Sequence, residues 1–438
     1  MTLSPTLITD ALADLPGHTR LVVGFSGGLD STVLLHLAHR CRQTYPALNV
    51  VALHVNHQLQ PAADQWQLHC ELLCRHWRIP FLSDVVRVDR EQSSLEQAAR
   101  DARYAAFRRH LQPDDLLLLA HHRDDQVETL FQRLLRGSGP LGLGGMGSVS
   151  RQPGLTILRP LLEQDRADLE AYARDHGLGW IDDPSNGDTG FERNFLRHQV
   201  LPSLRTRWPR LNQTVARAAR LSRDSAQLLD ELALIDAGEP VTAGNPLPIP
   251  VLQSLSQARA MNLLRYWIRQ HGTTAPSEAQ LARVLMEILP AQDDAQPVVS
   301  WGQHQLRRYR QGLYCLRLLP LSAPVDLPFV PGLDAPALPV GRLVQAEGQG
   351  IAFSRSRILQ SDLRLCTRQG GERLKPAGRP GNSLKHWLQA LRVPPWWRDH
   401  WPILYAGDEI AGLPGLVVCE GFQPAGPDDA LWLGWQSR

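Results

Sequence analysis

The amino-acid sequence predicts an α/β protein: a doubly wound parallel sheet, followed by a mainly helical middle domain and a small mixed α/β C-terminal domain. Three observations predict it. Apolar runs at residues 21–25, 50–55 and 116–120 have the length and continuity of strands buried on both faces. Helical patterns at residues 31–42, 62–77 and 94–110 alternate with them, as in a sheet wound by crossover helices. The chain has 438 residues, more than one hydrophobic core organises, so two or three domains are expected. In such sheets ligands lie beyond the carboxyl ends of the strands, and the chemistry is sought on that edge.

The first strand feeds the most restrictive segment. Residues 21–36 read LVVGFSGGLDSTVLLH: a strand, a glycine turn through Ser26, Gly27, Gly28, Leu29, Asp30 and Ser31, then a helix. Free backbone N–H groups and a helix dipole of roughly +0.5 charge converge at such a turn, making an anion pocket suited to a phosphate chain. Other glycine devices fit less well. A Walker loop needs Gly-Lys-Ser/Thr, and the only lysines are Lys375 and Lys385. A dinucleotide fingerprint needs G-x-G-x-x-G, and Gly24, Gly27 and Gly28 misplace the middle glycine. Gly24-Phe25-Ser26-Gly27-Gly28 does match a nucleophile elbow. Such an elbow follows several strands, however, whereas Ser26 ends the first, and Asp30 and Ser31 are left unexplained.

The string SGGLDS resembles the pyrophosphate loop of N-type ATP pyrophosphatases, which split ATP between its α and β phosphates and adenylate a substrate. The resemblance implies that the loop from Ser26 to Ser31, Leu29 included, binds ATP, with Ser26, Gly27, Gly28 and Ser31 on the pyrophosphate end and Asp30 near Mg²⁺.

Two further motifs fall on the same edge. After the strand at 116–120 come His121, His122, Arg123, Asp124, Asp125 and Glu128, entering a helix. Asp125 and Glu128 stand three apart on one helix face, so two carboxylates meet a cation or take a proton together. Helix capping accounts for one acid there, but not for three with two histidines. The loop Asp182-Asp183-Pro184-Ser185-Asn186 is ordinary turn chemistry alone. Joined to Arg193 and Arg197, four apart, it reads as a rigid loop aiming guanidinium groups at phosphate or a developing oxyanion. Between these motifs, residues 137–147 hold six glycines in eleven positions, which suggests a mobile lid that orders on binding.

Composition bounds the partners. Net charge is only +2, yet residues 190–225 carry eight arginines against two acids, and residues 361–400 carry eight basic side chains against three acids. Two separated basic patches point to a polyanion. Six cysteines form no C-x-x-C pair, and His69, Cys70, Cys74 and His76 do not converge on the helix their region predicts, so reduced thiols rather than zinc are expected. No apolar run approaches the roughly 20 residues that span a bilayer, and no basic segment followed by an apolar stretch opens the chain, so a soluble, cytoplasmic protein is expected.

Farther along, residues 211–237, 252–271 and 277–289 pattern as helices, the last opening with a Ser277/Gln280 capping box. Residues 305–319 alternate around a probable hairpin turn at Gln311-Gly312. Six prolines from Pro320 to Pro339 suggest a stiff linker. The domains are therefore expected at 1–205, 206–335 and 336–438. Tryptophans within 364–401 read as core rather than base-stacking platforms.

SGGLDS, His54-Val55-Asn56-His57-Gln58-Leu59, Ala99-Arg100-Asp101-Ala102-Arg103-Tyr104, HHRDDQVET, Arg136-Gly137-Ser138-Gly139, Arg159-Pro160-Leu161-Leu162, DDPSN and RNFLR occur in the order seen in the tRNA(Ile)-lysidine synthetases, which the chain resembles over about residues 20–202. Gly370-Gly371-Glu372-Arg373, Lys385 and Pro394-Pro395-Trp396-Trp397-Arg398-Asp399 resemble the last domain of that family's long form. Gln60 departs from the family's pattern in a loop detail. The resemblance implies a PP-loop catalytic domain, a helical substrate-binding domain and a C-terminal tRNA-binding domain. The implied substrates are ATP, free lysine and tRNA(Ile) with a CAU anticodon, with Mg²⁺ as metal. It implies that ATP adenylates the C2 carbonyl oxygen of the wobble cytidine and that lysine then attacks C2 and displaces AMP. On that reading Asp125 and Glu128 hold lysine and accept its proton, Arg193 or Arg197 support the α-phosphate, and Arg100, Arg103, His121, Lys375 and Lys385 contact tRNA or nucleotide. Two other readings are a tRNA thiolase of the same superfamily, which needs a catalytic cysteine pair or cluster ligands, and a serine hydrolase using Ser26. The sequence leaves oligomeric state and metal count open.

Overall fold

The computed structural model describes residues 3–437 apart from 14, 16–19, 89–94, 153, 243, 293–294, 319–323, 333–337, 339–340, 346–347 and 349. It divides into two compact units, Met1–Glu231 and Leu232–Arg438.

In the first unit six strands form one sheet: β1 Arg20–Gly24, β2 Asn49–Asn56, β3 Phe81–Val85, β4 Leu116–Leu118, β5 Val149–Gln152 and β6 Leu155–Leu158, in the order β3-β2-β1-β4-β6-β5. All pairings are parallel except the antiparallel β5-β6 edge. The helices are α1 Thr6–Ala13, α2 Leu29–Thr44, α3 Ala63–His76, α4 Leu95–His110, α5 Arg123–Leu135, the short α6 Pro140–Leu143 and α7 Arg166–Asp175. The anticipated doubly wound sheet is thus present, with the three expected strands (β1, β2 and β4) and the three expected helices (α2, α3 and α4) within about two residues of their expected bounds, while α1 and β3 were not expected; Ser94 lies outside the described residues.

The continuity of the apolar runs has a direct cause. Leu21 and Val23 of β1 and Leu116 and Leu118 of β4 pack with Ile8, Leu34, Leu37, Leu169 and Tyr172 in one core. Val22, Leu53, Leu117 and Ile157 face the opposite way, onto Tyr104 and Phe107 of α4. Alternate residues serve alternate faces, and both faces are covered.

Strand order also places the site. β1 pairs with β2 on one side and β4 on the other, so the connections leaving β1 and β4 diverge and open a crevice outside their carboxyl ends. The loops that follow these two strands carry SGGLDS and HHRDDQVE. A 3₁₀ turn at Pro184–Gly187, then α8 Glu192–Phe195, a π turn at Leu196–Val200, α9 Leu201–Arg207 and α10 Leu211–Ala237 complete the chain into the second unit.

The second unit holds a sheet of order β7-β10-β9-β8, with β7 Leu247–Pro248, β8 Val298–Trp301, β9 His304–Tyr309 and β10 Gly312–Arg317. Helices α11 Ile249–Ser254, α12 Gln257–Gln270 and α13 Glu278–Arg283 pack on it around Trp267, Leu264 and Leu313. The single helix expected over 252–271 is two helices, because Leu255 and Ser256 both take extended backbone. The Ser277/Gln280 capping box forms. The hairpin turn falls on Arg310-Gln311, one residue before the expected pair, since Tyr309 pairs with Gly312 and Arg310 has φ 52°. Gly312 instead serves close approach: a Cβ there would meet Pro246 Cβ at 3.0 Å.

Part of the expected proline linker is a strand, Asp326–Pro328, paired antiparallel with Leu363–Cys366; residues 319–323, 333–337 and 339–340 of that stretch lie outside the described residues. The remaining strands enclose a core that includes Phe353, Trp387, Leu388 and Leu404. Among the described residues, no helix is long and apolar enough to cross a membrane.

Candidate active site

The glycine loop is held open by its own side chains. Ser31 Oγ lies 3.0 Å from Ser26 Oγ, accepts from the Ser26 N–H at 3.2 Å and donates to the Gly28 carbonyl at 3.1 Å. Gly27 has φ +84°, and a Cβ there would lie 2.7 Å from both Cys70 Sγ and Ile181 Cδ1, so only glycine fits. Gly28 caps α2 without a side-chain bond, leaving first-turn N–H groups for an anion. The Ile181 N–H donates to the Gly27 carbonyl at 2.9 Å, which docks the DDPSN loop against the glycine turn.

Asp30 and His122 link this loop to the second motif. His122 is fully buried, with its Nε2 3.5 Å from both Asp30 Oδ2 and Asp125 Oδ2 and its Nδ1 3.7 Å from Asp124 Oδ2. Burial disfavours the imidazolium, but the Asp125 and Asp30 carboxylates outweigh it and raise the pKa above the ordinary value. Asp30 Oδ1 is buried and lacks a hydrogen-bond partner, with Arg166 Nε 4.0 Å away.

Asp125 and Glu128 do share one face of α5, and the structure shows what faces them. Arg193 donates from Nε to Glu128 Oε2 and from Nη2 to Asp125 Oδ1, each at 2.6 Å. Arg197 grips Glu128 with Nε at 2.6 Å and Nη2 at 2.9 Å. Two carboxylates and two guanidiniums thus neutralise one another in a site where Glu128 is only 1% exposed. Burial pushes the Asp125 carboxyl up, but the charges of His122 and Arg193 prevail and hold it at about 2. Such a carboxylate holds a cation well and accepts a proton poorly near neutral pH.

Two adjoining cavities open on this assembly, of about 320 and 630 Å³, and Ser26, Gly28, Val55, His57, Arg103 and Arg193 line both. Asp30, Ser31, His121 and Asp125 line the smaller; Glu128 and Arg197 line neither and stand behind Arg193. Burial pushes His121 down to about 3 and His57 to about 4, so both are neutral imidazoles at neutral pH. Arg103 forms no ion pair among the described residues, and burial lowers its pKa. Arg100 lies over the Tyr104 ring at 5.1 Å and lines neither cavity. Lys375, paired with Glu420, and the exposed Lys385 belong to the second unit.

Several lining residues carried no assignment from sequence. His54, Asn56 and Gln58 come from the end of β2 and its loop; Asp183, Ser185, Asp188 and Asn194 come from the DDPSN loop and α8. Asn194 Nδ2 donates to the carbonyls of Ser185 and Asp188, both at 2.9 Å, and Asp183 Oδ1 accepts from the Ser185 N–H at 2.8 Å. The signals for the β2 group were its place in the family motif order and its position, polar residues at the carboxyl end of an apolar strand.

The expected glycine lid is corrected. Gln126 donates to the Met146 carbonyl at 2.6 Å and accepts from its N–H at 2.7 Å. Arg133 donates to Gly142 and Gly145, Arg159 to Gly147, and Arg223 to Gly144 and Met146 carbonyls. Side chains from other elements fasten residues 142–147, and a Cβ at Gly144 or Gly145 would crowd Arg223 or Gln126, whereas Gly137 and Gly139 have nothing within 4 Å.

The two alternative chemistries lack their reactive groups. Among the described residues no imidazole hydrogen-bonds Ser26 Oγ, so no base activates it. Cys70 touches the loop but is buried, and burial pushes its thiol up to about 12, far from a reactive thiolate.

A strand–glycine turn–helix at the switch point of a doubly wound sheet, faced by buried carboxylates and arginines, defines a PP-loop enzyme, and residues 5–204 match the PP-loop domain family. Residues 247–314 match the TilS substrate binding domain and residues 363–435 the TilS substrate C-terminal domain. The tRNA(Ile)-lysidine synthase of Serratia proteamaculans is 41% identical over 97% of this chain and 97% of its own length. Those of Proteus mirabilis, at 37% over 98% of each chain, and Pectobacterium atrosepticum, at 39% over 94% and 93%, are similar over the same extent. The chain belongs to the tRNA(Ile)-lysidine synthase family.

Proposed function

We propose that this chain is a ligase that uses ATP to attach lysine to C2 of the wobble cytidine in tRNA(Ile) bearing a CAU anticodon. The C2 carbonyl oxygen attacks the α-phosphorus and diphosphate leaves. The ε-amine of free lysine then attacks C2, the C2–O bond breaks, and AMP departs, leaving lysidine. The carrying observation is the crevice where the start of α2, Asp30, Arg103 and Arg193 border adjoining cavities, in a chain so similar to lysidine synthases along its whole length.

Roles follow from chemistry. Ser26, Gly27, Gly28 and Ser31 receive the β and γ phosphates at the start of α2. The buried, unpartnered Asp30 Oδ1 beside a phosphate site suits a hard divalent cation. Mg²⁺ bound there would neutralise phosphate charge. Arg193 and Arg103 reach the same space as cations for the α-phosphate, Arg197 fixes Glu128, and Asp125 holds the lysine ammonium as a hydrogen-bond and charge partner rather than as the base that takes its proton. His121, neutral and facing the smaller cavity, contacts nucleotide or cytidine by hydrogen bonding. A methionine tRNA shares the anticodon, so discrimination requires contacts beyond it, for which Arg100, Lys375, Lys385 and the second unit are the candidates.

The test is incubation with ATP, labelled lysine and tRNA transcripts. Label entering the isoleucine transcript with CAU, and not an elongator methionine transcript, is expected. No label in either overturns the reading.

A further inference from the structure

The geometry points to a second nucleotide site: we propose that a cavity of about 610 Å³ in the second unit, lined by Asn245, His271, His304, Tyr314, Arg317 and Trp397, holds one unpaired nucleotide of the tRNA. This rests on the reading of tRNA as substrate. The cavity lies wholly within residues 244–397, is nearly as large as the larger catalytic one, and has no part in the chemistry above.

Its lining matches a base with its phosphate. No carboxylate lines it, and Arg317, exposed at the end of β10, forms no ion pair among the described residues. Arg317 sits directly across from His304 in the β9-β10 register. Burial first, and then their neighbours, lower both His271 and His304, so the imidazoles are neutral and Arg317 is the one formal charge on the wall. That single guanidinium suits a phosphate.

The base-sized remainder offers hydrogen-bonding edges and rings. His271 Nε2 is buried without a partner, and His304 commits Nδ1 to Thr273 Oγ1 at 3.1 Å, leaving Nε2 for a ligand. Asn245, whose backbone carbonyl already accepts from Trp267 Nε1, lines the cavity and brings a side-chain amide with both donor and acceptor capacity. Tyr314 and Trp397 meet edge to face at 6.3 Å between ring centres, a right-angled aromatic corner against which a flat base can pack. Trp396 and Trp387 are buried core, as the sequence suggested, whereas Trp397 and Trp401 are only partly buried at the core's margin, and Trp397 lines the cavity. A cation is a poor occupant, because no carboxylate lines the cavity and, among the described residues, no three His, Cys, Asp or Glu side chains come together to hold a metal ion.

Binding of the CAU-bearing tRNA(Ile) transcript by the full chain is measured for the wild type, Arg317→Ala and Trp397→Leu, alongside lysine incorporation and a titration with AMP. Loss of one stacked or phosphate-paired nucleotide is expected to weaken tRNA binding roughly tenfold in each variant and to raise KM for tRNA, with kcat at saturating tRNA unchanged. Arg317→Ala keeps the question decidable should Trp397→Leu fail to fold, because that side chain is exposed. Wild-type tRNA affinity in Arg317→Ala overturns the site. AMP binding that depends on Arg317 while tRNA affinity does not would assign the cavity to a free mononucleotide and overturn the RNA assignment. Lysine incorporation with unaffected tRNA binding in the variants sinks this site alone; Arg317-sensitive tRNA binding without lysine incorporation sinks the proposed reaction alone.

Discussion

Two glycine-rich segments of the first unit look alike in sequence and work in opposite ways. Residues 24–28 lead into α2, whose first-turn amides have no intrahelical partner, and the turn's order comes from Ser26, Ser31 and Thr32, all within eight residues. Residues 137–147 turn carbonyls toward Gln126, Arg133, Arg159 and Arg223, which arrive from other elements. The first segment offers donors to a ligand, and the second gives its acceptors to the protein. Glycine content therefore says that backbone must be approached closely; only the partner chemistry says by what.

The comparison breaks first at Gly27. Gly27→Ala forces a Cβ into Cys70 and Ile181 at a left-handed residue, and diphosphate release is expected to fall about 100-fold or more, with the melting temperature lowered. Near-normal turnover would show that the loop does not need this geometry. Arg193→Ala leaves Asp125 and Glu128 sharing Arg197, and urea unfolding should show a loss of about 3 kcal/mol, toward the lower end for a broken buried pair because Arg193 is partly exposed. Arg223→Ala releases the Gly144 and Met146 carbonyls. A cost of about 1–2 kcal/mol is expected, together with thermolysin cleavage within 137–147, while ATP binding is retained. Resistance to cleavage equal to wild type would contradict the fastening. Gly137→Ala sits at φ +69° with nothing within 4 Å, so about 1 kcal/mol is lost and activity stays.

Acid sharpens the account of the carboxylate cluster. His121 titrates near 3 in the fold against 6.5 in the unfolded chain, so between those values the unfolded state binds the extra proton and stability falls as pH falls. Asp125, held at about 2 against 3.8, contributes stability that is present above the ordinary carboxylate range and is lost as pH falls through about 2. His121→Gln should flatten the upper part of this dependence, from about pH 6.5 to 4, measured by urea midpoints across pH.

Much of the fold was legible because β1, β2 and β4 are buried on both faces and so are written as unbroken apolar runs. β3 was not, since a five-residue edge strand containing Ser83 and Asp84 carries no such run, and β5 and β6 have only four residues each. The site's acids and arginines were legible as motifs; that Glu128 and Arg197 would stand behind the cavity rather than line it was not, because spacing along one helix does not tell which guanidinium comes from another. The lid was misread for the same reason: Arg223 lies 77 residues from the Met146 carbonyl it holds.

The most direct test follows phosphorus. Phosphorus NMR of a reaction containing the protein, ATP, lysine and the CAU-bearing transcript should show AMP and diphosphate appearing together, only when tRNA is present, and in step with lysine entering RNA. ADP with orthophosphate, or lysine incorporation without diphosphate, would contradict the assignment of the first glycine turn.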